Sequence, residues 1–236
     1  MLLAVHAVTA TPDAPISPAA PDWDRIQTVC LDMDGTVLDL RFDNLFWLDV
    51  LPRRWAQARG LGLSEAIALL KPRFEAKRGT LDWYCIDHWS EELEFDIAAL
   101  KHELRAEIRY LPGALEFLAR LRARGKRVLL TTNAHPISLA IKNGQTGLER
   151  HFDELVSSHE FGSPKESAQF WARLAESHAV VPDSTLFVDD SASVVAAARA
   201  AGIAYVYQVL QPDSTLPPHG VAEGVAGIAR LGDLLV

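Results

Sequence analysis

A parallel α/β sheet interrupted by an inserted all-helical unit is the fold the sequence predicts, on three observations. From Lys126 onward, short apolar runs alternate with helix-like segments, the pattern of parallel strands joined by helical crossovers. A further apolar run, Thr28-Val29-Cys30-Leu31, stands apart near the start. Between them, Arg41 to Tyr110 reads as about four helices, with breaks at Pro52, Gly60 to Gly62, Pro72 and Gly79 and no convincing strand. The expected organisation is a tail over 1–24, a core from 25–40 and 111–236, and a helical cap over 41–110.

Each element has its own signal. Met1 to Pro21 is rich in Ala and Pro and holds no Lys or Arg, whereas a secretory leader needs a basic start and a longer apolar run, so the stretch reads as a flexible tail. Thr28 to Leu31 is the first strand. Pro112 to Gly125 opens on Pro-Gly, carries Leu115, Leu118 and Leu121 at helical spacing and stops at a glycine, which marks both ends of a helix. Arg127 to Thr131, Glu154 to Ser157, Thr185 to Val188 and Ile203 to Val209 read as strands. Ser167 to His178 and Ala192 to Ala201 fill the intervals as helices, and Gln211 to Gly220 is a Pro-rich loop.

Composition bounds the function. With 236 residues, 49% of them hydrophobic, the chain can bury one substantial core and a smaller unit. The 23 basic residues against 31 acidic ones, a net charge of -8, exclude extended nucleic acid as a partner. A small phosphorylated molecule stays open, because a cation, a lysine and helix N-termini dominate at short range. Cys30 and Cys85 match no metal spacing, which fits a reduced, cytoplasmic chain. No run approaches the about 18 apolar residues of a membrane helix, so no membrane partner is expected.

Four pieces carry chemistry. The first strand delivers Asp32-Met33-Asp34-Gly35-Thr36. Residues i and i+2 of an extended segment point the same way, so both carboxylates aim into one site, where they can hold a divalent cation and attack phosphorus. A calcium loop is excluded, since counting from Asp32 puts Val37 and Asp43 where Gly and Glu would be required. Thr132-Asn133 follows the strand of Val128 to Thr131, with Thr131 a competing register. Lys165 directly precedes a helix and can neutralise Asp32 and a phosphoryl group. Asp189-Asp190-Ser191 ends another apolar strand, and these oxygens with Asp32 and Asp34 suit an octahedral cation, Mg²⁺. Strand ends of a parallel sheet meet along one edge, so the four pieces can converge.

In their order the four pieces resemble the motifs of the haloacid dehalogenase-like hydrolases. The resemblance implies a Rossmannoid core, with Asp32 as the nucleophile that forms an aspartyl-phosphate and Asp34 as acid and base. It also implies that Thr132 binds phosphate and that Asp189 and Asp190 hold Mg²⁺. An aspartate at Asp34 fits members that act on phosphomonoesters. Further strings, Phe42-Asp43-Asn44, Phe46-Trp47, Trp83-Tyr84-Cys85 with Asp87, Thr132-Asn133-Ala134-His135-Pro136 and Phe161-Gly162 with Pro164-Lys165-Glu166, are similar to the bacterial GMP/IMP nucleotidases. That similarity implies hydrolysis of purine nucleoside monophosphates. Thr36, Asn133, His135, Trp47, Trp83 and Tyr84 are the added candidates for phosphate or substrate contact, with a Trp ring able to stack on a base. The alternatives are a phosphatase or phosphomutase of sugar phosphates or phosphoglycolate, and a non-catalytic phosphate-binding protein on the same fold.

Overall fold

Five of the apolar runs form strands of one sheet, and a sixth joins them. The computed structural model of the chain describes residues 21–234; of the tail expected over 1–24, positions 1–20 lie outside the described residues. The strands are β1 (Thr28–Leu31), β2 (Arg127–Thr132), β3 (Glu154–Ser157), β4 (Thr185–Asp189), β5 (Tyr205–Val209) and β6 (Ala226–Ile228). They lie in the order β3-β2-β1-β4-β5-β6, and every pairing is parallel. β6 escapes the sequence pattern because Ala-Gly-Ile is too short and too poor in β-branched residues to read as a strand.

Both faces of the sheet are covered, which is why its strands read as continuous apolar runs. Side chains alternate between the faces. Val29, Leu31, Val128, Leu130, Leu186 and Val188 point into one core with Phe117, Leu118 and Leu121. Cys30, Leu129 and Phe187 point into the other, with Phe170, Trp171, Leu174, Val194 and Val195.

Between β1 and residue 110 the described chain forms six α-helices, α1 (Arg41–Leu45), α2 (Leu51–Arg59), α3 (Leu63–Lys77), α4 (Leu81–Tyr84), α5 (Ile86–Leu93) and α6 (Ile97–Glu103). A π-helical turn (Phe46–Val50) joins the first two. Two of the expected breaks are not breaks. Pro52 lies where the π-helical turn passes into α2, and Pro72 sits inside α3 on its exposed side, where the carbonyl it leaves unpaired meets water. The two ends of this unit are tied together: Leu38 and Tyr110 form an antiparallel bridge flanked by Asp39 N–H to Arg109 O at 2.9 Å and Leu111 N–H to Val37 O at 3.0 Å. After β1 and the cap come α7 (Ala114–Ala123), α8 (Pro136–Thr146), α9 (Ala168–Ser177) and α10 (Ala192–Ala200).

Candidate active site

Register brings the predicted residues together. Leu31 of β1 pairs with Leu130 of β2 on one side and Val188 of β4 on the other. The next residues along, Asp32, Thr131-Thr132 and Asp189-Asp190, therefore emerge at one edge of the sheet. The turn after Asp32 passes directly beneath Asp190. Gly35 has φ +86°, and a Cβ there would lie 2.7 Å from Asp190 Oδ2 and 2.8 Å from Pro212 Cβ, so only glycine fits.

Lys165 knits the floor of the site. Its Nζ donates to Asp32 Oδ1, to Asp189 Oδ2 at 2.7 Å and to the carbonyl of Thr131 at 2.9 Å. Burial disfavours the charged lysine, yet Asp189 and Asp32 outweigh it and hold its pKa above the ordinary value. The carboxylates are pushed the other way. Burial, with Asp189 beside it, raises Asp32 to about 7 against the pull of Lys165. Burial and the neighbouring Asp189 and Asp32 raise Asp190 well above the usual carboxylate range. Ligand oxygens of Asp32, Asp189 and Asp190 lie within 4.8 Å of one another, a crowded all-oxygen set whose mutual repulsion a hard divalent cation would relieve.

Asp34 faces a different environment. Its Oδ1 stands 2.6 Å from Nζ of Lys142, which also donates to Asp43 Oδ2 at 2.6 Å; Asp43 Oδ1 in turn accepts from Lys101 at 2.8 Å. Lys101 and Lys142 are only 3% and 2% exposed. Burial, Asp43 and Asp32 raise Asp34 to about 6, with Lys142 opposing. This chain joins α1 and α6 of the cap to α8 of the core. Neither lysine was singled out from the sequence, because an isolated lysine on a helix usually lies at the surface. The available signal was spacing: Ser138 and Lys142 sit one helical turn apart on the buried face of α8.

A cavity of about 290 Å³ opens over these groups, and Thr132, Asn133, Trp47, Trp83 and Tyr84 line it, as do Phe74, Trp89, Asp43, Lys101 and Lys142. Thr132 reaches it, while Thr131 is buried against β1. Asn133 is braced on both sides, its Oδ1 accepting from Lys165 N–H at 2.9 Å and its Nδ2 donating to Glu166 at 3.0 Å; Tyr84 of the cap donates to the same Glu166 at 2.6 Å. Two candidates lie apart. Thr36 is buried outside the cavity lining, and His135 turns toward the cap, its Nε2 3.5 Å from Asp87 Oδ2 and its ring edge-on to His159 at 4.9 Å.

Comparison with known proteins agrees with this geometry. The chain is 42% identical over 201 residues to the GMP/IMP nucleotidase YrfG of Escherichia coli (strain K12), covering 85% of this chain and 88% of that protein. It is 26% identical over 194 residues to a phosphoglycolate phosphatase of Chromobacterium violaceum, covering 77% and 84%. A HAD phosphatase from Thermococcus onnurineus shares the fold, with a TM-score of 0.74 at 20% identity over 89% of this chain and 96% of that one. No helix among the described residues is long and apolar enough to cross a membrane. With the family profile "Hydrolase: haloacid dehalogenase-like hydrolase" matching residues 26–202, the chain belongs to the haloacid dehalogenase-like hydrolases, as a phosphatase.

Proposed function

We propose that the protein hydrolyses purine nucleoside monophosphates with a 6-oxo base, GMP and IMP, through an aspartyl-phosphate on Asp32. The observation that carries this reading is Asp32 held by Lys165 at the floor of a cavity whose walls are aromatic. Asp32 attacks phosphorus in line. Lys165, Thr132 and the backbone beside it receive the phosphoryl oxygens. Asp34, with a pKa of about 6, gives a proton to the leaving ribose oxygen and later takes one from the attacking water. Asp32, Asp189, Asp190 and a carbonyl from Asp34 would hold Mg²⁺, which neutralises charge on the phosphoryl group.

The nucleoside reading draws on the cavity walls. A guanine or hypoxanthine offers acceptors at O6 and N7, whereas adenine places an amino donor at the sixth position. Lys101 and Lys142 are pure donors beside Trp47, Trp83 and Trp89, a setting that favours the 6-oxo ring. Phosphate release measured across GMP, IMP, AMP, CMP, a hexose phosphate and phosphoglycolate is the test, with Asp32→Asn as the inactive control. Fastest turnover of GMP and IMP is expected. Preference for phosphoglycolate, the substrate named for one relative, would move the function to the second reading; it has no use for the aromatic walls.

A further inference from the structure

We propose that Cys85, His135 and His159, with Asp87 beside them, form a second cation site, selective for a thiolate- and imidazole-seeking divalent ion of the Zn²⁺ class, that bridges the cap to the core. Cys85 lies at the corner between α4 and α5 of the cap, His135 caps the N-terminus of α8, and His159 sits in the turn after β3. One ligand atom from each falls within 4.8 Å of the others. None of the three lines the active-site cavity.

The side chains are arranged as ligands. Nε2 of His159 is buried with no hydrogen-bond partner, while the ring's other nitrogen bonds to the backbone of Asn133. A carbonyl that holds the proton on Nδ1 leaves Nε2 as a lone pair aimed inward, the usual second contact of a metal-bound histidine. Cys85 Sγ accepts the His88 N–H at 3.4 Å, which fixes the sulfur at the start of α5. Asp87 Oδ2, 3.5 Å from His135 Nε2, lies beside this trio, where its oxygen can complete the set as a fourth ligand. Sulfur and nitrogen donors select Zn²⁺ over Mg²⁺, the reverse of the all-oxygen cluster at Asp32.

The protons balance. On binding, the Cys85 thiol releases one proton to solvent. His135, ligating through Nε2, moves its ring proton to Nδ1 and gives up a 3.4 Å contact from Ile137 N–H. The bound ion then ties the α4–α5 corner to the loops after β2 and β3, next to the Tyr84–Glu166–Asn133 contacts, and so holds the cap down. The consequence for rate rests on the phosphatase reading, because release of product needs the cap to lift; the binding itself does not.

Co²⁺ titration of the full chain in excess Mg²⁺ tests the site without substrate. One equivalent should bind with a thiolate-to-cobalt charge-transfer band in the near ultraviolet. Cys85→Ser should abolish that band while its hydroxyl still accepts the His88 N–H, and His159→Ala should weaken Co²⁺ binding about tenfold or more. Asp190→Asn should leave the band intact. Wild-type protein without the band, the same band in Cys85→Ser, or its loss in Asp190→Asn would each overturn the proposal. In turnover assays, Zn²⁺ added to Mg²⁺-loaded enzyme should lower kcat for wild type and spare Cys85→Ser; equal inhibition of both would assign the ion to the acidic cluster and overturn the bridging role.

Discussion

Asp32 and Asp34 lie two residues apart and leave the same strand, yet their surroundings give them different work. Asp32 is paired with a buried lysine that also holds Asp189, whereas Asp34 meets Lys142 and keeps a pKa of about 6, close to the pH at which a proton is most easily passed both ways. Asp34→Ala is expected to slow phosphate release from GMP by about 10² to 10⁴, and much less from an aryl phosphate whose leaving group needs no proton. Equal losses on both esters would remove the acid role. Gly35 makes a second prediction of this scale. Alanine there needs both an unfavourable positive φ and room occupied by Asp190, so Gly35→Ala is expected to displace Asp190 and lose Mg²⁺ affinity at least tenfold, measured by activity against Mg²⁺ concentration. Lys101→Met keeps the bulk of the side chain and removes its donors. It should cost GMP about tenfold or more in kcat/KM and leave AMP little changed, narrowing the gap between the two.

Among the elements, strands were more legible than helices. Burial on both faces wrote β1, β2 and β4 into the sequence as continuous apolar runs, and the motif residues sit at the ends of these strands, so the floor of the candidate site could be read before any geometry. Of the walls, Trp47, Trp83 and Tyr84 were legible and the charged residues were not. Lys101, Lys142 and Asp43 come from α6, α8 and α1, and helix-to-helix contacts of this kind depend on packing angles that no local pattern encodes. Pro72 was misread for a related reason: whether a proline breaks a helix depends on whether its face is exposed. The Asp43 network is where these elements hold each other. Burial raises the Asp43 pKa, but Lys101 and Lys142 outweigh it and set the carboxyl well below its ordinary value. A depressed carboxylate stabilises the fold above its unfolded pKa of about 3.9, and that contribution is lost as pH falls toward the folded value. Asp43→Asn, which leaves two buried lysines short of a counter-charge, is expected to cost about 3 to 5 kcal/mol in urea unfolding at pH 7. The gap to wild type should shrink below about pH 4. A gap unchanged between neutral and acid pH would separate the loss from the ion pairs.

For the whole molecule, the sheet edge concentrates charge that the fold must otherwise tolerate. Asp32, Asp189 and Asp190 gather at one end of two neighbouring strands, with Lys165 the cation bonded to the first two. Folding holds these carboxylates together, whereas the unfolded chain lets them separate. A divalent ion that binds only the folded arrangement stabilises it by mass action, about 2.7 kcal/mol when present at 100 times its Kd. For a chain of this size that corresponds to a rise in Tm of about 5 to 10 °C. Addition of Mg²⁺ should therefore raise Tm and restore turnover together after EDTA has removed both, with the fold intact throughout by far-ultraviolet circular dichroism. Asp190→Asn should already have a higher metal-free Tm than wild type, because one repelling charge is gone, and should gain little from Mg²⁺. Cys85→Ser should keep the full Mg²⁺ shift, since its site draws on sulfur and nitrogen rather than on these oxygens. A Tm in wild type that ignores Mg²⁺, or a shift that persists in Asp190→Asn, would show that the acidic edge is not where the cation binds, and would leave Asp32 without the charge neutralisation on which its attack depends.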